Sequence, residues 1–231
     1  MRMPAKYIKT IICLANSRKI GGRSVAGKEL DAGKPGAWVR PVSPRPEGTL
    51  SDEDVRLDNG KEPQLLDVIS IPMVEARPCS YQTENHLIDV GCSWTKEREA
   101  SWSDLQAALD TVSGPLWDNS SSSYNGLNDR VEEAAATYLG GSLRLIEVPD
   151  LTMLVAVEGA NIGNAHRKVR GRFTLNGATY LLAVTDTVIE RKYLAGPDGE
   201  SRLGPAVMCI GLREPYRGYA YKLVAGVFPK R

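Results

Sequence analysis

The chain has 231 residues, 42% hydrophobic and 25% charged, with a formal net charge of +1. That length buries a real core in one domain or two small ones, and near-neutrality argues against a general polyanion-binding coat. No stretch approaches the ~20 apolar residues of a membrane span. "MRMPAKYIKTIICLANSRK" has too short an apolar run and too charged a sequel for a secretory signal, so no membrane partner and a cytoplasmic address are the expectation.

In chain order, the first half offers strands at 5–15, 36–43 and 65–74, with a weaker one near 85–90. "NSRKIGGRS" reads as a polar loop leaving the first strand. A helix is expected in "SWSDLQAALDTV", with Ser103 as N-cap and Gln106 completing a capping box. Residues 113–128, rich in serine, asparagine and glycine, read as a loop or flexible connector. A second helix is expected in "NDRVEEAAATYLGG", capped by Asn128, stopped by Gly140-Gly141, and turning Val131, Ala135, Tyr138 and Leu139 to the core.

Strands follow at 142–148, 151–159, 170–175, 178–186, 206–212 and 217–228. "FTLNGATYLLAV" is the clearest hairpin, because Asn176-Gly177 suits the positive φ angles of a type I′ turn. Short strands with sparse helices fit small β-barrels better than a doubly wound sheet. The expected architecture is mainly β: an N-terminal OB-like barrel over 1–115, a linker and helix over 116–141, and a C-terminal OB-like barrel over 142–231. No residue-by-residue internal repeat is visible.

Several phrases resemble a bacterial family described as a dual OB-containing domain: "ICLANSRKIGGRSVAGKEL", "GAWVRPVS", "LLDVISIP", "QTENHLID", "SYNGLNDRV", "VRGRFTLNGATYLLAVTDTVIE" and "GLREPYRGYAYKLVAGVF". They span almost the whole chain. The resemblance implies two OB-like barrels and a part in bacterial or phage genome-defence or mobile-element biology. It brings no established catalytic residues with it. One departure is Ser24, where the family pattern has cysteine.

Charge is distributed unevenly. Residues 16–45 carry seven lysines and arginines against Glu29 and Asp31, "EGTLSDEDVRLDNGKE" is acidic, and "HRKVRGR" forms a second basic cluster. "NSRKIGGRS" is neither a Walker A loop nor G-x-G-x-x-G, so it announces no nucleotide cofactor. Asn16, Ser17, Arg18, Lys19 and Arg23 nevertheless offer hydrogen bonds and guanidinium contacts to an anion. Trp38 and Arg40 share a strand face, an arrangement that stacks a base and pairs its phosphate. Arg170 and Arg172 share another face and need an anion or a carboxylate, for which Glu158 and Glu190 are candidates. In "PYRGYAYKL" Tyr219 and Tyr221 share a face opposite Lys222, either as a buried tyrosine face or as an exposed stacking platform.

Four scattered cysteines and two histidines give no metal-cage spacing, so no metal is expected and the thiols should be reduced and mostly buried. Catalytic candidates are thin: Glu84, His86 and Cys92 cluster around "YQTENHLID". Three functions therefore stand open: a non-catalytic nucleic-acid or nucleotide binder, an enzyme acting on a nucleobase or nucleotide, and a protein–protein interaction module.

Overall fold

The computed structural model describes residues 6–160 and 163–230. Residue 5, where the first expected strand begins, lies outside them. The chain divides into two compact units, Met1–Leu109 with Gly140–Ser142, and Asp110–Leu139 with Leu143–Arg231.

The first unit contains β1 (Tyr7–Lys19), β2 (Gly22–Asp31), β3 (Lys34–Val42), β4 (Asp67–Ala76), β5 (Asn85–Ile88), β6 (Thr95–Glu99) and α1 (Trp102–Ala107). Its strands run β1-β2-β3-β5-β4 and close back on β1, with β3 and β5 parallel and β6 added outside β4. The second unit contains β7 (Arg130–Glu132), α2 (Glu133–Ala136), β8 (Leu143–Glu158), β9 (His166–Leu175), β10 (Ala178–Val184), α3 (Thr187–Leu194), β11 (Gly199–Leu212) and β12 (Tyr219–Pro229). Its ring runs β8-β9-β10-β12-β11 and closes on β8, with β10 and β12 parallel and β7 added outside β12.

Both units therefore repeat one Greek-key strand order in sequences that show no repeat. Closure pairs the strand edges that an open sheet would leave to other chains. Each ring is filled by its own apolar cluster. Ile11, Val25, Val39, Ile69, Ile71 and Trp94 pack in the first, and Leu151, Met153, Val169, Phe173, Tyr180 and Val224 in the second. Phe173 and Tyr180, cross-strand partners on β9 and β10, stack with ring centroids 5.2 Å apart.

Local structure departs from the sequence reading at five places. The polar residues after "YIKTIICLA" do not form a loop. β1 continues to Lys19 and pairs Asn16 with Val25, Ser17 with Ser24 and Arg18 with Arg23, leaving Ile20-Gly21 as the turn. Gly21 takes φ 79°, which glycine adopts without a Cβ penalty.

The first helix starts two residues earlier than expected, because Ser101 and Asp104 form the capping box. The second expected helix is mostly absent. Asn128 adopts φ 51°, outside the extended conformation of an N-cap, and Arg130–Glu132 pair with β12 instead. Only Glu133–Ala136 coil, and Tyr138 is 91% exposed rather than core-facing.

Helix α3 carries no strong sequence signal, since it opens with β-branched Thr187, Val188 and Ile189. Asp186 overrides that preference. Its carboxylate accepts from Val188 and Ile189 N–H at 3.0 and 3.1 Å, and from Val227 N–H on β12 at 3.0 Å.

The serine-rich segment 113–128 is tied down rather than free. Asn176 Nδ2 donates to the carbonyls of Val112 and Gly114, each at 2.8 Å, and Leu116 is fully buried. Tyr180 Oη accepts from Leu116 N–H at 2.9 Å and from Asn119 Nδ2 at 2.8 Å.

Candidate nucleic-acid interface

In the first unit the expected anion-binding residues are turned toward the unit's own groups. Asn16 is 9% exposed and donates from Nδ2 to the Pro63 carbonyl at 2.8 Å. Ser17 is buried, with Oγ 3.5 Å from the Ser24 carbonyl. Lys19 Nζ donates to the Glu47 carbonyl. Arg23 bridges two carboxylates of the acidic segment, Asp52 at 2.7 Å and Glu62 at 2.8 Å, and Arg45 pairs with Asp54. Arg18 is exposed beside Arg23.

Trp38 and Arg40 flank core residue Val39, so both point away from the ring interior. Trp38 is half-buried with Lys28 Nζ 5.6 Å from its ring centroid. Arg40 is 7% exposed. Its Nη2 lies 2.8 Å from Ser142 Oγ and 3.2 Å from Glu84 Oε1. The Ser142 hydroxyl also donates to Glu84. This is a closed buried triad, not an open guanidinium beside an aromatic face.

The catalytic candidates do not converge on shared partners. Glu84 belongs to that triad. His86 Nδ1 meets the Tyr7 hydroxyl at 2.7 Å; burial, assisted by Lys9, pulls the imidazole below its ordinary value, and burial pushes the Tyr7 phenol up. The exposed Cys92 thiol lies 3.3 Å from Asp89 Oδ2, which holds it above its ordinary value and so disfavours the nucleophilic thiolate. Cys79 is also exposed, Cys13 and Cys209 are buried, and none of the four is in a disulfide. Among the described residues no three His, Cys, Asp or Glu side chains gather as a metal site, and no helix is long and apolar enough to cross a membrane.

In the second unit the basic cluster is likewise paired. Arg170 makes a bidentate bond to Glu158, 2.5 and 3.0 Å, with Asp129 at 3.7 Å. Burial alone would raise the Glu158 carboxyl, but Arg170, backed by Lys168, holds it below its usual value. Arg172 makes a bidentate pair with Glu200 at 2.7 and 2.6 Å, so Glu158 is a partner as expected and Glu200 stands where Glu190 was the candidate.

The clearest outward display lies between β11 and β12, at "REPYRG". Arg217 and Gly218 take φ 52° and 79°, the two positive angles of a type I′ turn, and join Tyr216 to Tyr219 across a tight hairpin. Tyr216 is 51% exposed, with the Arg217 guanidinium 5.2 Å and that of Arg213 6.0 Å from its ring centroid. The Tyr219 ring carries the Arg130 guanidinium at 3.8 Å, delivered by the added strand β7.

The strand that follows decides between two expectations for its tyrosines. Tyr219 and Tyr221 are half-exposed, while Lys222 sits between Ala220 and Val224 on the buried face and is 1% exposed. Its amine is accommodated by the Asp118 carbonyl, by Asn119 Oδ1 at 2.8 Å and by the Tyr180 ring at 5.4 Å. Alternation in "YAYKLV" finds the faces but not their sense, because only the fold reveals acceptors waiting inside. Arg213, Tyr216, Arg217 and Arg130 are the residues that sequence reasoning missed as site candidates. The only cue was the density of arginine and tyrosine in "LREPYRGYAY".

Two closed five-stranded rings of one Greek-key order define a tandem OB-fold binding module. The chain belongs to the dual OB-containing domain family, whose model matches residues 9–227. No curated protein and no solved structure is significantly similar to it.

Proposed function

We propose that the protein binds nucleic acid or a nucleotide through the β11–β12 hairpin of its second ring. OB-type rings receive oligonucleotides on the face of their second and third strands and on the loops joining strands one to two and four to five. β11 and β12 are the fourth and fifth strands of their ring, so the hairpin occupies one of those loops. The observation that carries the reading is Tyr216, half-exposed beneath two guanidinium groups. Aromatic rings stack bases whatever their identity, and arginine adds phosphate attraction.

Fluorescence polarisation with labelled oligonucleotides at several salt concentrations tests this. Binding should weaken as salt rises, and Tyr216→Ala should cost about 1–3 kcal/mol of affinity. Equal affinity of wild type and Tyr216→Ala contradicts the proposal.

A further inference from the structure

The hairpin tip offers two aromatic positions rather than one. Tyr216 N–H donates to the Tyr219 carbonyl at 2.8 Å, and Tyr219 N–H returns to the Tyr216 carbonyl at 3.2 Å. Residues directly opposed in such a pair project from the same face, with Cα atoms about 5.5 Å apart. Each ring has its own guanidinium: Arg217 and Arg213 at Tyr216, and Arg130 at Tyr219. Arg130 is fixed in place by donation from its Nε to Ser121 Oγ at 2.8 Å.

The turn itself does not call for an arginine at position 217. The first position of a type I′ turn favours asparagine, aspartate or glycine, and the β9–β10 hairpin of the same ring has the favoured Asn176-Gly177 there. At Arg217 a long cationic side chain occupies a left-handed conformation at an exposed tip. Among the described residues no carboxylate pairs with it, whereas Arg170, Arg172 and Arg167 all have carboxylate partners. The Ala32-Gly33 turn between β2 and β3 carries the same pair of positive angles, so it is the long cation without a carboxylate partner, rather than the strain, that points to use.

We infer, resting on the nucleic-acid reading above, that the ligand is an unpaired strand of at least two nucleotides, with a base on Tyr216, a neighbouring base on the Tyr219–Arg130 pair, and a phosphate on Arg217. Paired bases in a duplex are already stacked on both faces, so only an unpaired strand presents π-faces to two rings. A single nucleotide fills one position and leaves the other empty. Arg217 acts as a point of backbone contact that carries no sequence information.

The test uses the full chain with a labelled single-stranded oligonucleotide, the same sequence as a duplex, and mononucleotides as competitors. Arg217→Asn is the informative variant, because asparagine suits the turn and keeps the hairpin. The single strand should bind at least about tenfold tighter than the duplex at equal salt, and mononucleotides at the oligonucleotide's concentration should not displace it. Arg217→Asn should lower affinity and reduce the slope of log affinity against log salt by about 0.7, the loss of one phosphate contact from a single strand. Its thermal midpoint should stay at or above that of the wild type. Equal or tighter duplex binding, or displacement by mononucleotides, overturns the choice of ligand. An unchanged salt slope in Arg217→Asn, with Tyr216→Ala still impaired, overturns the role of Arg217 while leaving the proposed site standing. If neither variant affects binding, the proposed site falls as well.

Discussion

In the first ring the connection from the third strand to the fourth is a long irregular segment, residues 43–66, bearing Asp52, Asp54 and Glu62. In the second ring the same connection is helix α3, capped by Asp186 and packed on the core through Ile189. The consequence is electrostatic. The acidic segment folds onto the basic hairpin of its own ring, so Arg23 meets Asp52 and Glu62, while Arg45 pairs with Asp54 within the segment itself. A helix in that place brings no such flap, and the fourth-to-fifth loop of the second ring displays arginine and tyrosine outward. One strand order thus supports two uses of positive charge: internal pairing, which both rings make, and outward presentation, at the β11–β12 hairpin of the second. Counting basic residues along a sequence cannot separate these uses; the geometry of the neighbouring loop does.

The largest effect expected from this contrast is on stability. Arg40→Ala strips the buried Glu84 carboxylate of its charge partner and should cost about 3–5 kcal/mol in the first unit, read as an early transition in chemical denaturation. Arg217→Ala, exposed and unpaired with any carboxylate among the described residues, should leave the denaturation midpoint where it is. A stable Arg40→Ala variant that loses nucleic-acid affinity would break the comparison, because it would make Arg40 a binding group.

A second, smaller effect concerns Lys222. Burial pulls its amine down to about 8, with Asp118 and Asp129 pulling the other way. The folded value lies below the ordinary 10.5, so between these limits the unfolded chain binds more protons than the folded one. Stability therefore rises as pH climbs from 8 toward 10.5. Denaturation midpoints at several pH values in that window should rise in the wild type relative to Lys222→Met. A parallel response in the two proteins would show that the amine is not held as the geometry suggests.

The smallest effect belongs to Arg172. Its pair with Glu200 is exposed on both sides, and such pairs contribute about 0–1 kcal/mol. Arg172→Ala should change stability by no more than that and leave oligonucleotide affinity within twofold or so of the wild type. A larger loss of affinity would extend the binding surface onto β9.

Much of the fold was legible in the chain. The alternation of "TYLLAV" and the Asn-Gly turn placed β9 and β10, and the spacing of short strands indicated small rings. Partnerships set by distant residues were not legible. Whether "NSRK" forms a loop or a strand depends on its cross-strand partner "RSVA". Whether Arg130–Glu132 coils depends on the β12 edge waiting beside it. The same limit applied to the site. Arg40 and Arg170 have the chemistry of anion binders, but Glu84 and Glu158 reach them first. Arg217 looked ordinary until its turn conformation was known.

The proposed binding surface lies on the β11–β12 hairpin of the second ring. Backbone amide NMR of the full chain, titrated with a single-stranded oligonucleotide, tests it most directly. Shifts should concentrate at residues 213–219 and 130, with residues 16–24, 38 and 40 nearly still. Shifts centred on the β1–β2 hairpin and Trp38, with 213–219 unmoved, would contradict it.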